Sequence, residues 1–237
     1  MKDKINFSLN LKKIVLFTIT IIEIILYVSF MFLDIAYKEE FDVTFIKYFS
    51  LLCLFPFLFI NYREWDLKHI LFRMAFITTS CADLFLLVIN NYYIIGVSFF
   101  IVTQLCYFIA LMYNRDKKIL LFSLCCYSLL LLIGIIILIV TDFLELINIF
   151  VLLYFSLLVM NAFISLYFLI KHQGSLLLTL GLFLFIGCDI NVGLFNLEIE
   201  SEIIQRIVYI SMFMFYVPSQ YFIFSSLDMF TKKEVEV

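Results

Sequence analysis

Two aspartates stand inside long apolar runs, Asp83 in ITTSCADLFLLVIN and Asp189 in LFLFIGCDINVGLFN. A charged side chain at membrane depth costs at least about 2.5–3.5 kcal/mol on insertion scales, so such a residue normally faces a cavity and serves a function there. Paired carboxylates are suited to acid–base chemistry: one delivers a proton while the other, ionised, stabilises positive charge or activates water. Surroundings of low dielectric can keep one carboxyl protonated while its partner stays ionised beside a cation. Lys47, near the start of the second apolar run, is placed to be that cation for either aspartate. Either aspartate fits either role.

Further polar residues recur at helical spacing. Thr79, Asp83 and Asn90 share a face at i−4, i and i+7, and Tyr154, Asn161 and Ser165 form a second such stripe. Gln104 precedes Tyr107 by three residues, and Tyr216 precedes Gln220 by four. A stripe of this kind either lines a site or supplies interhelical hydrogen bonds worth roughly 0.6 kcal/mol per contact. Glu23, with Tyr27 on its face, is a third candidate acid, ranked below the two aspartates because nothing elsewhere in the chain echoes it. The aspartates do echo one another: Cys81-Ala82-Asp83 parallels Cys188-Asp189, and an asparagine follows each seven residues later, at Asn90 and Asn196.

These residues must be positioned by membrane-spanning helices. The chain has 237 residues, 65% of them hydrophobic and 15% charged, with a mean hydropathy of +1.12. That is too apolar for a soluble domain. Spanning helices need about 20 apolar residues, and eight such segments are expected: Ile14–Leu33, Val43–Ile60, Ile70–Ile89, Tyr92–Tyr113, Ile119–Val140, Phe143–Ile170, Leu176–Asn196 and Ile203–Leu227. The runs are continuously apolar and lack the alternation of a membrane β-barrel. The expected fold is therefore an all-α, eight-span membrane protein forming one polytopic domain over residues 1–237. With four spans between the aspartates, a parallel repeat of two four-helix halves is one reading of the echo.

Basic residues mark alternate ends: Lys2, Lys4, Lys12 and Lys13; Arg63, Lys68 and Arg73; Arg115, Lys117 and Lys118; Lys171; Lys232 and Lys233. The opposite loops are acidic or neutral, with Asp34, Glu39, Glu40 and Asp42, then Asn90 and Asn91, then Asp142, then Glu198, Glu200 and Glu202. The positive-inside rule then puts both termini in the cytoplasm and both aspartates in the outer halves of their helices. Substrate would reach them from the outer leaflet. The first apolar run lacks a small-residue cleavage site and is read as a span rather than a signal peptide.

All six cysteines fall within spans, where they act as small apolar filler and imply no disulfide framework. The two histidines, His69 and His172, sit at helix ends, so a histidine-built zinc site inside the bundle is not expected. No phosphate-cradling glycine loop, Gly-x-Ser-x-Gly elbow or basic-aromatic nucleic-acid surface appears, so no cofactor and no nucleic-acid partner are expected. The abundance of Phe, Ile and Tyr, whose codons are AT-rich, points to a bacterial genome and hence to the bacterial plasma membrane.

Several separated stretches resemble the YhhN-type lysoplasmalogenase family of eight-span membrane proteins. IKYFSLLCLFPFLFI resembles the family's Lys-Pro-Leu-Thr start of span two, with Lys47 at the lysine and Tyr48 at the proline. ADLFLLVINNYYIIGVSFFIVTQLCYFIAL resembles Gly-Asp-x-x-Leu followed by Gly-x-x-x-Phe-x-x-x-His-x-x-Tyr. Asp83, Gly96, Phe100 and Tyr107 fit that pattern, while Ala82 replaces the glycine and Gln104 the histidine. Asp189 matches the aspartate of Phe-x-x-Ser-Asp-Ser, with Cys188 and Ile190 at the serines. Tyr216 and Gln220 match the closing Tyr-x-x-x-Gln.

The resemblance implies hydrolysis of the vinyl ether of lysoplasmalogens to a fatty aldehyde and a glycerophospho-base. Protonation of the alkene carbon gives an oxocarbenium ion, water captures it, and the hemiacetal collapses. Two carboxylates meet that need, as they do in glycoside hydrolysis. Asp83 and Asp189 would be the catalytic pair, with Lys47, Gln104, Tyr107, Asn161, Tyr216 and Gln220 orienting water or a lysophospholipid or other lipid substrate. The other reading is a non-enzymatic transporter or lipid-binding protein using the same intramembrane polar residues.

Overall fold

The structure, a computed structural model, describes residues 2–36, 43–60, 66–197 and 201–226, and of residues 2–13, 59 and 60 only the backbone. The loop residues Glu39, Glu40, Asp42, Arg63, Glu198 and Glu200, the end of the last expected span at Leu227, and Lys232 and Lys233 lie outside the described residues.

With no water in a bilayer to satisfy backbone N–H and C=O groups, a continuously apolar chain closes its hydrogen bonds within helices. The elements are α1 (Lys2–Ala36), α2 (Thr44–Cys53), α3 (Phe57–Ile60), α4 (Leu67–Asp83), α5 (Tyr93–Met112), α6 (Lys117–Val140), α7 (Leu146–Ile170), α8 (Leu176–Phe195) and α9 (Glu202–Ser225). Among the described residues there is no strand. Among the described residues seven helical stretches are long and apolar enough to cross a membrane, and the protein is an all-α integral membrane protein.

The expected unbroken second span over Val43–Ile60 is instead two short helices, α2 and α3, joined by a turn at Leu54–Pro56. Pro56 has no N–H to donate to the carbonyl four residues back, and its ring crowds that carbonyl. The chain tightens around it through i→i−3 bonds, Leu54 N to Leu51 O at 3.1 Å and Phe57 N to Leu54 O at 3.0 Å. Pro218 sits inside α9 without ending it. The Met214 carbonyl, which the missing N–H would have served, accepts from the Tyr27 hydroxyl at 3.3 Å. A polar side chain from a neighbouring helix thus repays the lost backbone bond, as a spanning proline requires.

The helices form a closed ring in the order α1, α2, α4, α5, α7, α8, α9 and back to α1, while α6 lies outside it and packs on α7. Ser123 is the buried residue of α6, and Phe122, Leu129 and Val140 are among its many exposed apolar side chains. A soluble protein could not sustain such a surface, but hydrocarbon tails cover it without cost. The two halves of the chain do not pack equivalently. A parallel four-helix repeat would match α1 with α6, yet α1 is a member of the ring and α6 stands outside it.

α4 opens at Asp66, whose carboxylate accepts from the Leu67 N–H at 2.8 Å. Immediately after Asp83 it widens into a π-turn over Leu84–Val88, with Ile89 N bonded to Leu84 O at 2.8 Å. The π-turn shifts the register, so the expected stripe ends early. Asn90 leaves the helix, adopts a φ of 50° and is exposed. Gly96 brings α5 against this segment: a Cβ there would lie 2.6 Å from Leu86 Cγ and 3.3 Å from the Ala82 carbonyl.

Candidate intramembrane acid site

Asp83 closes α4, Asp189 lies two turns before the end of α8, and the helix ring brings them to one level of the bundle. Their charges are within electrostatic reach of one another, although 106 residues separate them in sequence. Each carboxylate is held by a tyrosine from another helix. The Tyr216 hydroxyl on α9 donates to Asp83 Oδ2, and the Tyr154 hydroxyl on α7 donates to Asp189 Oδ2 at 2.6 Å.

An aromatic wall joins the two pairs. Phe185, one turn before Asp189, lies 5.6 Å from the Tyr216 ring and 6.3 Å from the Tyr154 ring, edge-on to both. Phe100 of α5 stacks on Tyr154 at 5.2 Å and meets Phe185 edge-on at 5.7 Å. Edge-to-face and offset contacts of this kind stabilise by about 0.5–1.5 kcal/mol beyond area burial. They also fix the planes of both phenols, and so the directions of both hydroxyls. Cys188 is buried next to the pair and feels the charge of both aspartates.

The pairs differ in access. Asp83 is 3% exposed, whereas Asp189 is only partly buried. Asp83 has a further neighbour in Tyr48 of α2, which interacts with its charge and donates to the Ser80 carbonyl at 3.3 Å. Ser80 O is one of two carbonyls that take the Leu84 N–H where the α-helix passes into the π-turn. Single-turn π-bulges concentrate at functional sites because they re-aim the residues beside them.

One to two turns along the bundle lies a second polar layer. Asn161 Nδ2 on α7 donates to the Gln104 carbonyl at 2.9 Å and to Gln104 Oε1 at 3.0 Å on α5. Thr78 and Thr103 share a hydrogen bond at 2.7 Å, as do Ser165 and Thr179 at 2.7 Å. Tyr107 is fully buried against Phe72, with ring centroids 5.4 Å apart. Gln220 is 1% exposed and reaches Ser219 Oγ at 3.4 Å. Gln104 Nε2, Asn161 Oδ1 and Gln220 Oε1 have no hydrogen-bond partner among the described residues. Buried amide groups in native proteins are satisfied by protein or ordered water, so this layer suits water or a polar part of a ligand.

Lys47 was expected to pair with Asp83 or Asp189; the structure pairs it with Asp34, at 2.8 Å. α1 runs past its expected end at Leu33 to Ala36, which carries Asp34 out of the loop and up to α2. A buried cation is stabilised by a carboxylate in direct reach. Lys47 also donates to the Tyr209 hydroxyl at 3.1 Å and lies 3.7 Å from the Phe213 ring centroid. Arg206 of α9 adds donors to the Asp34 and Ile35 carbonyls, a cation at a helix C-terminus.

Glu23 is buried between α1 and α2, where Ser50 donates to its Oε2 at 2.6 Å. Asn196 caps α8 at an exposed position, so the two echoing asparagines both lie at helix ends rather than in the site. Among the described residues no three His, Cys, Asp or Glu side chains gather as metal ligands.

The sequence placed Tyr154 on a polar stripe without pairing it to Asp189, gave Tyr48 only as the residue at the proline of the resembling pattern, and did not single out Phe185. The usable signal for Tyr154 was its position seven residues before Asn161, on the same buried face.

The description "YhhN family" belongs to the family model that matches residues 43–227. No curated protein and no solved structure matches the chain. The matched region takes in both aspartates, both tyrosines that hold them and the whole second polar layer, and the chain belongs to the YhhN family.

Proposed function

We propose that the protein is a lysoplasmalogenase-type intramembrane hydrolase in which Asp83 and Asp189 cleave the vinyl ether of a lysoplasmalogen. The observation that carries this reading is the convergence of two carboxylates from distant helices, each oriented by its own tyrosine. One carboxyl protonates the alkene carbon β to the ether oxygen, so that the cation forms on the carbon bonded to oxygen; the other, as carboxylate, stabilises the oxocarbenium ion and takes a proton from the attacking water. The tyrosine bonds engage Oδ2 of each aspartate, which leaves Oδ1 to act on substrate. Water capture gives a hemiacetal, whose collapse releases the fatty aldehyde and the glycerophospho-base with no net change in oxidation state.

The buried amides of Gln104, Asn161 and Gln220 support the reading, because their unpaired polar atoms, one to two turns from the aspartates, suit ordered water inside the bundle. Asp189, the more accessible acid, is the side from which the lipid would approach. On the positive-inside rule the basic ends of the spans would face the cytoplasm, and that approach would then be from the outer leaflet.

Aldehyde release from choline and ethanolamine lysoplasmalogens by purified protein in detergent tests the proposal. Asp83→Asn and Asp189→Asn should each lower the rate by about 10²–10⁴-fold, the scale of acid–base catalysis. A carrier using the same residues would release no aldehyde and would move lipid only across sealed vesicles.

A further inference from the structure

At the end of the bundle far from the aspartates, a small cleft opens between the start of α4, the ends of α5 and α7, and the start of α8. Lys68 and Arg115 line it together with Gln173, Ser165 and Ser175, and among the described residues no acidic side chain does. Arg115 is held ready: its Nη1 donates to Gln173 Oε1 at 2.9 Å, its Nη2 to the Gln173 carbonyl at 3.2 Å, and its guanidinium lies 4.2 Å from the Phe168 ring centroid. Two of the five N–H groups of the fork are used in those bonds, and the rest can be offered to an anion.

The turn from α7 to α8 adds donors. Gly174 lies so close to the end of α7 that a Cβ would come within 2.7 Å of Leu169 N and 3.0 Å of Phe168 C. This close approach brings the first turn of α8, capped by Ser175, to the cleft wall. Two cations and a helix N-terminus around one concavity form the arrangement that recognises phosphate.

We propose that this cleft is a phosphate-binding site separate from the acid site, and that it holds the phosphate of an anionic phospholipid head group or of a soluble glycerol phosphate. It cannot serve the head group of the lipid being cleaved. Lys68 and Asp83 are separated by 15 residues of one helix, about 22 Å at a rise of 1.5 Å per residue, whereas a single glycerol unit joins the phosphate of a lysophospholipid to its vinyl ether. Basic pockets between transmembrane helices commonly hold the head groups of anionic lipids, and a phosphate here would tie the ends of α4, α5, α7 and α8 together.

Native mass spectrometry of the purified full chain in detergent, titrated with phosphatidylglycerol or phosphatidylcholine, tests the site, with sn-glycerol 3-phosphate as a third probe. Phosphatidylglycerol should bind at least about tenfold more tightly than phosphatidylcholine, and Lys68→Gln and Arg115→Gln should each weaken it about tenfold or more, as loss of a charge-assisted hydrogen bond does. Binding of glycerol phosphate without phosphatidylglycerol would assign the site to the soluble ligand. Equal binding of the two lipids, no binding of any probe, or binding untouched by both substitutions would overturn the proposal. Should a variant fail to fold, a photoactivatable phosphatidylglycerol head group on the unmodified protein supplies the second reading. Cross-links should fall within residues 68–72, 110–115 or 165–178, and cross-links confined elsewhere would overturn the site.

Discussion

Asp83 and Asp189 carry the same functional group at the same level of the bundle, yet the protein surrounds them differently. Asp83 is sealed between a π-turn, Tyr216 and Tyr48. Asp189 sits on an unbroken stretch of α8, takes its hydrogen bond from Tyr154 and is partly exposed. A sealed carboxyl depends on the partners the fold supplies; an accessible one can also draw on water or substrate. The contrast points to a fixed acid at Asp83 and an adaptable, substrate-facing one at Asp189.

Removing what the two share should harm both. Phe185 is 1% exposed and touches both tyrosines, so Phe185→Ala should destabilise the protein by about 3–5 kcal/mol, read as a fall in the thermal unfolding midpoint in detergent. An unchanged midpoint would mean that the aromatic wall does not hold the pairs.

Lengthening each acid by one methylene separates them next. Asp83→Glu should lower aldehyde release about 100-fold, as a displacement near 1 Å does in a rigid site, while Asp189→Glu should cost clearly less. The reverse order in a kinetic assay would reassign the fixed role to Asp189.

The tyrosines give a smaller contrast. Tyr216→Phe strips a buried carboxylate of its donor and should cost about 1–3 kcal/mol in stability, against about 0.5–1.5 kcal/mol for Tyr154→Phe, whose partner is less deeply buried. Equal costs would remove the distinction between sealed and accessible acids.

The smallest effect should come from Gln104→His, which restores the residue type of the resembling family pattern in the second polar layer. An imidazole can still accept from Asn161 Nδ2, so the rate should change by less than about tenfold, one step of about 1.4 kcal/mol. A larger change in the same aldehyde assay would make that position part of the proton path.

Much of this was legible in the sequence, for identifiable reasons. Continuous apolar runs can only be helices in a bilayer, which made the spans readable, and the cost of burying charge singled out Asp83 and Asp189. Pro56 lies inside the second expected span, and the break it imposes between α2 and α3 was not anticipated. The π-turn after Asp83 has no sequence signature, so Asn90 was kept on a helical face that the backbone abandons. Partner choices were the least legible. Which tyrosine meets which aspartate depends on the order of helices around the ring, and a uniformly apolar helix gives little sign of which neighbour it meets. Lys47 shows the same limit: its partner Asp34 was read as loop because α1 was expected to stop at Leu33, one residue short.

The central claim is that the two carboxylates act as one unit, and a double-mutant cycle in aldehyde release tests it most directly. Asp83→Asn, Asp189→Asn and the double variant should all fall to the same residual rate, because groups that act together are lost together. A well-folded wild-type protein that releases no aldehyde, or single losses that multiply in the double variant, would contradict it.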